Sequence, residues 1–438
     1  MDSTARETLE FLEENDIKFI RLAFCDIFGV QKNIAVMASQ LGHALEHGVA
    51  FDASAIAGFG GVARSDLLLR PDLSTFTVLP WRPAESGVGL VFCNITYPDG
   101  RPFEGDGRWL LGQLEQRALR QGYSFLVGPE CEFYLFETDE KGRPTHTPFD
   151  EAGYFDIAPL DKGENVRRQI CLALEEMGVQ PERSHHEQGP GQNEVDFKHA
   201  APLTAADDVI TFKNVVKTVA ARNGLYGSFS PKPLADKPGS GMHVNISLAR
   251  GGRNIFAPGP DGAYSPAMRS FIAGVLARAG EICAFTNPVP GSYARFGSFE
   301  APRYVAWSHQ NRSQLIRIPA APAPEYARIE VRMPDVSCNP YLAFALLLAA
   351  GFEGMERKME LAEETPYDLY TANAGALEAL PASLEEAIAR AGGSAFVEKV
   401  LSADTARKYL ALKQAEQNRW FAARDKEKYQ DEAYFGVL

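Results

Sequence analysis

The sequence predicts an α+β fold in two parts, and three observations carry the prediction. Residues 1–105 hold short apolar segments broken by turns built on Gly and Asp, the pattern of a small β-rich unit. From "EGDGRWLLGQLEQRALRQG" onward, over residues 106–438, helical and strand-like patterns alternate. The 438 residues, 45% of them hydrophobic, can bury more than one core.

The elements follow in chain order. "MDSTARETLEFLEEND" is a helix, with no basic region leading into an apolar run and so no signal peptide. "IKFIRLAFCDIFGVQKNIAV" reads as two strands around a Gly turn, and "VGLVFCNITYPDGRPF" as a strand closed by Asp99 and Gly100. "YLAFALLLAAGF" is apolar throughout but too short to span a bilayer, which makes it a buried helix. The tail from Leu401 reads as one or two amphipathic helices and an extended aromatic end, an interface element. The net charge of -13 argues against nucleic acid or an anionic membrane as partner. Cys25, Cys93, Cys131, Cys171, Cys283 and Cys338 share no paired spacing, so neither a zinc site nor a disulfide framework is expected, and a reducing cytoplasm is the default compartment.

The chemistry lies on strand faces. In "GMHVNISL" His243, Asn245 and Ser247 share one side while Met242, Val244, Ile246 and Leu248 share the other. "GPECEFYLF" places Glu130 and Glu132 on one face, and "ARIEVRMPD" does the same with Arg328, Glu330 and Arg332. "SHHEQGPGQNEVDF" carries Glu187 and Glu194 at the two ends of a Gly-Pro turn, and "NRSQLIRIP" carries Arg312 and Arg317. Singly, each is a solvated sheet face or a surface ion pair, the latter worth about 0–1 kcal/mol. Together, five carboxylates and a histidine form the donor set of magnesium or manganese. Several arginines beside such a set imply two anions held together, as phosphoryl transfer from a nucleotide to an acid requires.

Seven segments in order, "FDASAIAGF", "SDLLLRPDLSTFTVLPWRP", "GPECEFYLF", "SHHEQGPGQNEVDF", "KPGSGMHVNISL", "NPVPGSYARFGSFEAPRYVAWSHQNRSQLIRIP" and "RIEVRMPDVSCNPYLAFALLLAAG", resemble the class I glutamine synthetases over nearly the whole chain. The resemblance implies a β-grasp N-terminal domain and a catalytic domain whose curved antiparallel sheet, backed by helices, forms a funnel-shaped site. It implies Glu132, Glu187 and Glu194 as ligands of one Mg2+ or Mn2+ ion and Glu130, His243 and Glu330 as ligands of another, with two or more ions per site. Glu182, Asn245, Ser247, Arg317 and Arg328 then fall to ATP. Gly239, Arg295, Arg312 and Arg332 fall to L-glutamate and the transferred phosphoryl group. Asp52, from a neighbouring subunit, and the flap residue Glu300 would take protons from ammonium, with Arg312 the third catalytic residue. A homo-oligomer of two hexameric rings is the implied assembly, a dodecamer.

Several positions depart from the family pattern. Asn245 stands where many members have a second histidine, Pro238 replaces an asparagine, the flap segment "FGSF" is one residue short, and "FDASAI" lacks the Gly and second Ser common after the aspartate. Because three departures lie near the pocket that selects substrate, a γ-glutamylamide ligase using an organic amine is the alternative. A non-catalytic relative would have lost ligands, and all six are present. Tyr367 and Tyr370 are read as loop or interface aromatics.

Overall fold

The computed structural model describes residues 3–83, 85–372 and 374–438. A six-stranded sheet occupies the N-terminal part. Its path runs Gln31–Met37, Ile17–Cys25, Gly87–Thr96, Asp66–Pro71 and Val49–Asp52, with Thr77–Val78 paired to Gly87–Thr96. Ile17–Cys25 and Gly87–Thr96 run parallel, and the other pairs are antiparallel. Ile20, Leu22, Leu69, Val91 and Ile95 form its core, with Leu12 of the helix Ser3–Glu14 and Leu41 of the helix Leu41–His47. The expected turn between the first two strands closes on the Asp26 carboxylate, which accepts from the backbone N–H of Phe28 and Val30 at 2.9 and 3.0 Å. Gly29 is required there. Its φ is 80°, and a Cβ would stand 2.8 Å from the Cα of Asn339.

A ten-stranded sheet follows. It runs from Trp307–His309 through Ile316–Ile318, Ile329–Val331, Met242–Arg250, Tyr123–Thr138 and Gln192–Phe197 to Pro181–His186. Pairing is antiparallel except between Trp307–His309 and Ile316–Ile318, which are parallel. Alternation along Tyr123–Thr138 sends Phe125, Val127, Cys131, Phe133 and Leu135 into a helix-covered core and Glu130 and Glu132 to the opposite face. Behind the sheet lie Gly107–Arg120, Pro202–Arg222, Pro266–Thr286 and the expected buried helix, Pro340–Glu356. No helix among the described residues is long and apolar enough to cross a membrane, and all six cysteines are free.

The tail differs from expectation. After the helix Ala403–Ala422 and the short helix Lys426–Gln430, residues Asp431–Phe435 are helical rather than extended. Phe435 packs on Phe136 beside Tyr134, so the aromatic end fills the chain's own core. Its backbone is satisfied locally as well: Lys217 Nζ donates to the Val437 carbonyl at 2.8 Å, and Phe229 N–H to that of Leu438 at 3.0 Å.

Arg108 joins the two sheets' surroundings. Its guanidinium donates to Asp207 at 2.9 and 3.0 Å, to Asp72 at 2.9 Å and to Asn94 at 2.9 Å. Tyr341 completes the group by donating to Asp207 at 2.6 Å. Burial drives the Asp207 carboxyl upward, against which Arg108 holds it charged. Arg108→Met should therefore cost roughly 3–5 kcal/mol by stranding a buried carboxylate. Urea denaturation measures this, and Arg108→Met/Asp207→Asn should recover part of the loss.

Candidate active site

Strand register assembles the site. His243 and Asp196 stand opposite Glu130 on its two neighbouring strands, Glu194 stands opposite Glu132, and Asn245 and Arg317 stand opposite Glu330. Side chains with period two on paired strands share a face, so these groups converge on one side of the sheet. They surround a cleft of about 560 Å³.

Two donor trios lie in it. Glu130, His243 and Glu330 offer ligand atoms within 4.8 Å of one another, and so do His185, Glu187 and Glu194. Glu130, Glu194 and Asp196 form a third group that shares residues with both. Glu132 lines the same cleft, but its carboxylate accepts from the Gly241 N–H at 2.7 Å and from Gln192 Nε2 at 3.3 Å. His185 thus stands in the trio where Glu132 was expected.

The trios differ electrostatically. Burial opposes ionisation of Glu330, yet Arg332, His243 and Arg317 draw its carboxyl down to about 2. Glu130 is likewise lowered against its burial by the hydrogen bond with His243. Across the cleft, burial and then the Glu132 charge push Glu187 up to about 7. Burial, Asp196 and Glu132 push Glu194 far above the carboxylate range. Burial lowers His185, leaving an imidazole with a free lone pair. Asp196 Oδ1 is buried and finds no hydrogen-bond partner. Carboxylates that repel one another, a neutral imidazole and an orphaned oxygen fit a hard divalent cation.

Arg295, Arg312, Arg317 and Arg328 also line the cleft, as do Pro238, Gly239, Phe299 and Glu300. A Cβ on Gly239 would collide with the side chain of Arg295 and the carbonyl of Pro231, so only glycine fits. Phe299 and Glu300 are consecutive left-handed residues, with φ of 46° and 63°. Glu300 is held by Arg312 and Arg332 at 3.4 Å each and by Gln188 at 3.3 Å.

Other expected residues fall elsewhere. Arg332 is fully buried behind Glu330, pairing with its carboxylate and donating to the Glu300 carbonyl at 3.0 Å. The Asn245 carboxamide bridges Glu130 and Arg328 at 2.9 Å on both sides, which leaves it a brace between two cleft residues. Ser247 lies two residues farther along that strand and Glu182 is exposed on Pro181–His186; neither lines the cleft. Asp52 ends an edge strand of the N-terminal sheet, exposed, and caps a short helical turn by accepting from Ser54 N–H at 2.9 Å. Sequence reasoning missed His185, Gln192 and Asp196, although the alternation that selects Glu187 and Glu194 also selects them. Tyr154 and Phe155, stacked at the cleft with ring centroids 3.9 Å apart, carry no periodic signal.

Comparison with known proteins places this geometry. A family model described as "Glutamine synthetase, catalytic domain" matches residues 104–431, and one described as "Glutamine synthetase, beta-Grasp domain" matches residues 16–98. The glutamine synthetase of Clostridium saccharobutylicum is 45% identical over 420 residues, covering 94% of this chain and 95% of that one. That of Methanosarcina mazei is 45% identical over 427 residues, with 96% and 95% covered. Among solved structures, "GmaS/ADP complex-Conformation 1" superposes with a TM-score of 0.87 at 28% identity, covering 96% of this chain and 98% of its own. "Apo GmaS without ligand" gives 0.85 at 29% identity, with the same coverage.

Replacing Glu194 separates stability from ion binding. Glu194→Gln puts a neutral amide where burial and the neighbouring carboxylates already favour a neutral carboxyl, so the metal-free protein should melt at about the same temperature while Mn2+ affinity falls at least about tenfold for want of an ionisable ligand. Affinity of the unsubstituted protein should also fall as pH drops below 7, because the Glu187 carboxyl, raised to about 7, then holds a proton that the cation must displace. Scanning fluorimetry and calorimetric Mn2+ titration at several pH values read both.

Proposed function

The chain belongs to the glutamine synthetase family, and from that premise we infer that it is a glutamate–ammonia ligase, using ATP to form glutamine through a γ-glutamyl phosphate. The observation that carries the reading is the pair of donor trios, Glu130–His243–Glu330 and His185–Glu187–Glu194, in one cleft ringed by arginines.

A carboxylate is a poor electrophile, so its oxygen must first take the γ-phosphoryl group of ATP, releasing ADP. Arg317 and Arg328 line the cleft where nucleotide phosphates would meet the first trio, and Arg312 stands beside Glu300 where the transferred group would lie. Arg295 and the Gly239 backbone border the glutamate side. Arg332, buried, fixes Glu330 and Glu300 rather than reaching substrate. Magnesium or manganese held by Glu130, His243 and Glu330 and by Glu132, His185, Glu187 and Glu194 would supply Lewis-acid polarisation and neutralise phosphate charge. Ammonia then attacks the acyl carbon and phosphate leaves. Ammonium has no lone pair, so a carboxylate must first take its proton, a role given to Glu300 because it lines the cleft.

Asp52 is the second proton acceptor, acting in the cleft of a neighbouring copy. What supports this is its position: it is exposed on an edge strand and does not line its own chain's cleft. A dodecamer of two hexameric rings is the proposed assembly. The six free thiols fit the cytoplasm.

A γ-glutamylamide ligase is the second reading. It is favoured by the likeness to the GmaS structures and by the aromatic pair Tyr154–Phe155, which could cover an amine's alkyl group. Purified protein with ATP, Mg2+ and L-glutamate should release phosphate and form glutamine with ammonium; turnover with methylamine or ethylamine but little with ammonium would establish the second reading instead. Asp52→Ala and Glu330→Gln should each be inactive alone, and co-expression should restore activity if sites are shared between copies. Failure of every hybrid would confine each site to one chain.

A further inference from the structure

We propose that Lys232 is a positioning residue that ties the loop bearing Gly239 to the flap bearing Glu300, so that the two sides of the amino-acid pocket close as one unit. The inference rests on the ligase reading of the cleft.

Three successive carbonyls of the loop are each held by a buried donor. Lys232 Nζ donates to Lys237, Tyr134 OH to Pro238 at 2.7 Å, and Gln192 Nε2 to Gly239 at 3.1 Å. Tyr134 and Gln192 belong to the sheet, and the other bonds of Gln192 go to Glu132 and Gly189, not to the flap. Lys232 is different. Its ammonium, on a side chain 7% exposed, also lies 4.8 Å from the centroid of the Phe299 ring. Phe299 is otherwise 47% exposed and precedes Glu300 in the left-handed pair.

The flap needs such a holder. Two consecutive non-glycine residues with positive φ persist only where their surroundings impose them. Arg332, Arg312 and Gln188 restrain Glu300, through its carbonyl and its carboxylate, and the cation over the ring restrains Phe299. A buried ammonium with one carbonyl acceptor and one aromatic face is thus shared by both walls, and movement of either wall is felt by the other. The consequence is chemical: a flap free to open would admit water to the acyl phosphate, hydrolysing it to glutamate and phosphate in place of amide formation.

The test uses the full-length protein with Lys232→Met, Phe299→Leu, Phe299→Tyr and the Lys232→Met/Phe299→Leu pair. In hydrogen–deuterium exchange, Lys232→Met should speed exchange across residues 296–301 as well as 237–241, and Phe299→Leu should speed both as well. In the glutamine assay both single variants should release severalfold more phosphate per glutamine than the unsubstituted protein with an unchanged KM for ATP. The pair should be no worse than either alone, and Phe299→Tyr, which keeps the ring, should behave normally. Exchange confined to the mutated segment, or additive losses in the pair, would overturn the coupling. If the unsubstituted protein makes no glutamine, the ligase reading fails, and the exchange result alone decides whether Lys232 joins the two walls.

Discussion

Glu132 and Glu194 stand directly opposite each other on neighbouring strands, with Glu130 and Asp196 opposite one another two residues away. Like charges in register on a sheet repel, and burial removes the water that would screen them. The rest of the structure answers to that constraint. The apolar faces of the same strands lock the register through the helix-backed core, so the carboxylates cannot slip apart. The outer groups have partners of their own: Arg183 pairs with Asp196, Asn245 donates to Glu130 beside His243, and Arg317 and Arg332 pair with Glu330. What is left uncompensated lies at the centre, around Glu187 and Glu194.

This asymmetry explains why the site can discriminate among partners. The side anchored by Glu330 is charge-balanced by the protein and rigid, since Arg332 is fully buried. The opposite side lowers its energy only by taking up positive charge or protons. Substrate anions are therefore drawn to the arginines bordering the cleft, while cations are drawn to its floor. Neither group could be moved to the other wall without leaving a buried charge unpaired.

Much of this was legible in the sequence because β-structure writes a period of two. Alternation in "GMHVNISL", "GPECEFYLF" and "ARIEVRMPD" separates core from cleft residues correctly, and the apolar helix Pro340–Glu356 follows from its composition. Alternation says which face a residue takes, not how deep it lies. Arg328 and Arg332 share a face with Glu330, yet Arg328 borders the cleft and Arg332 is sealed beneath it, because the strand Ile329–Val331 is only three residues long. Register is equally silent in sequence, which is why nothing there placed His185 within 4.8 Å of Glu187 and Glu194. The local pattern Asp52-x-Ser54 signals a helix cap, and the cap is there, with Ser54 N–H donating to the Asp52 carboxylate at 2.9 Å. The tail was misread because its aromatic residues find their partners, Tyr134 and Phe136, about three hundred positions away.

The most direct test of the central claim, that these opposed carboxylates exist to hold cations, is anomalous diffraction from crystals grown with Mn2+ and ADP. The account predicts two manganese peaks in the cleft, one within bonding distance of Glu130, His243 and Glu330 and one of Glu187 and Glu194 with His185 or Glu132. A fully active protein whose crystals show no manganese at either trio would contradict it.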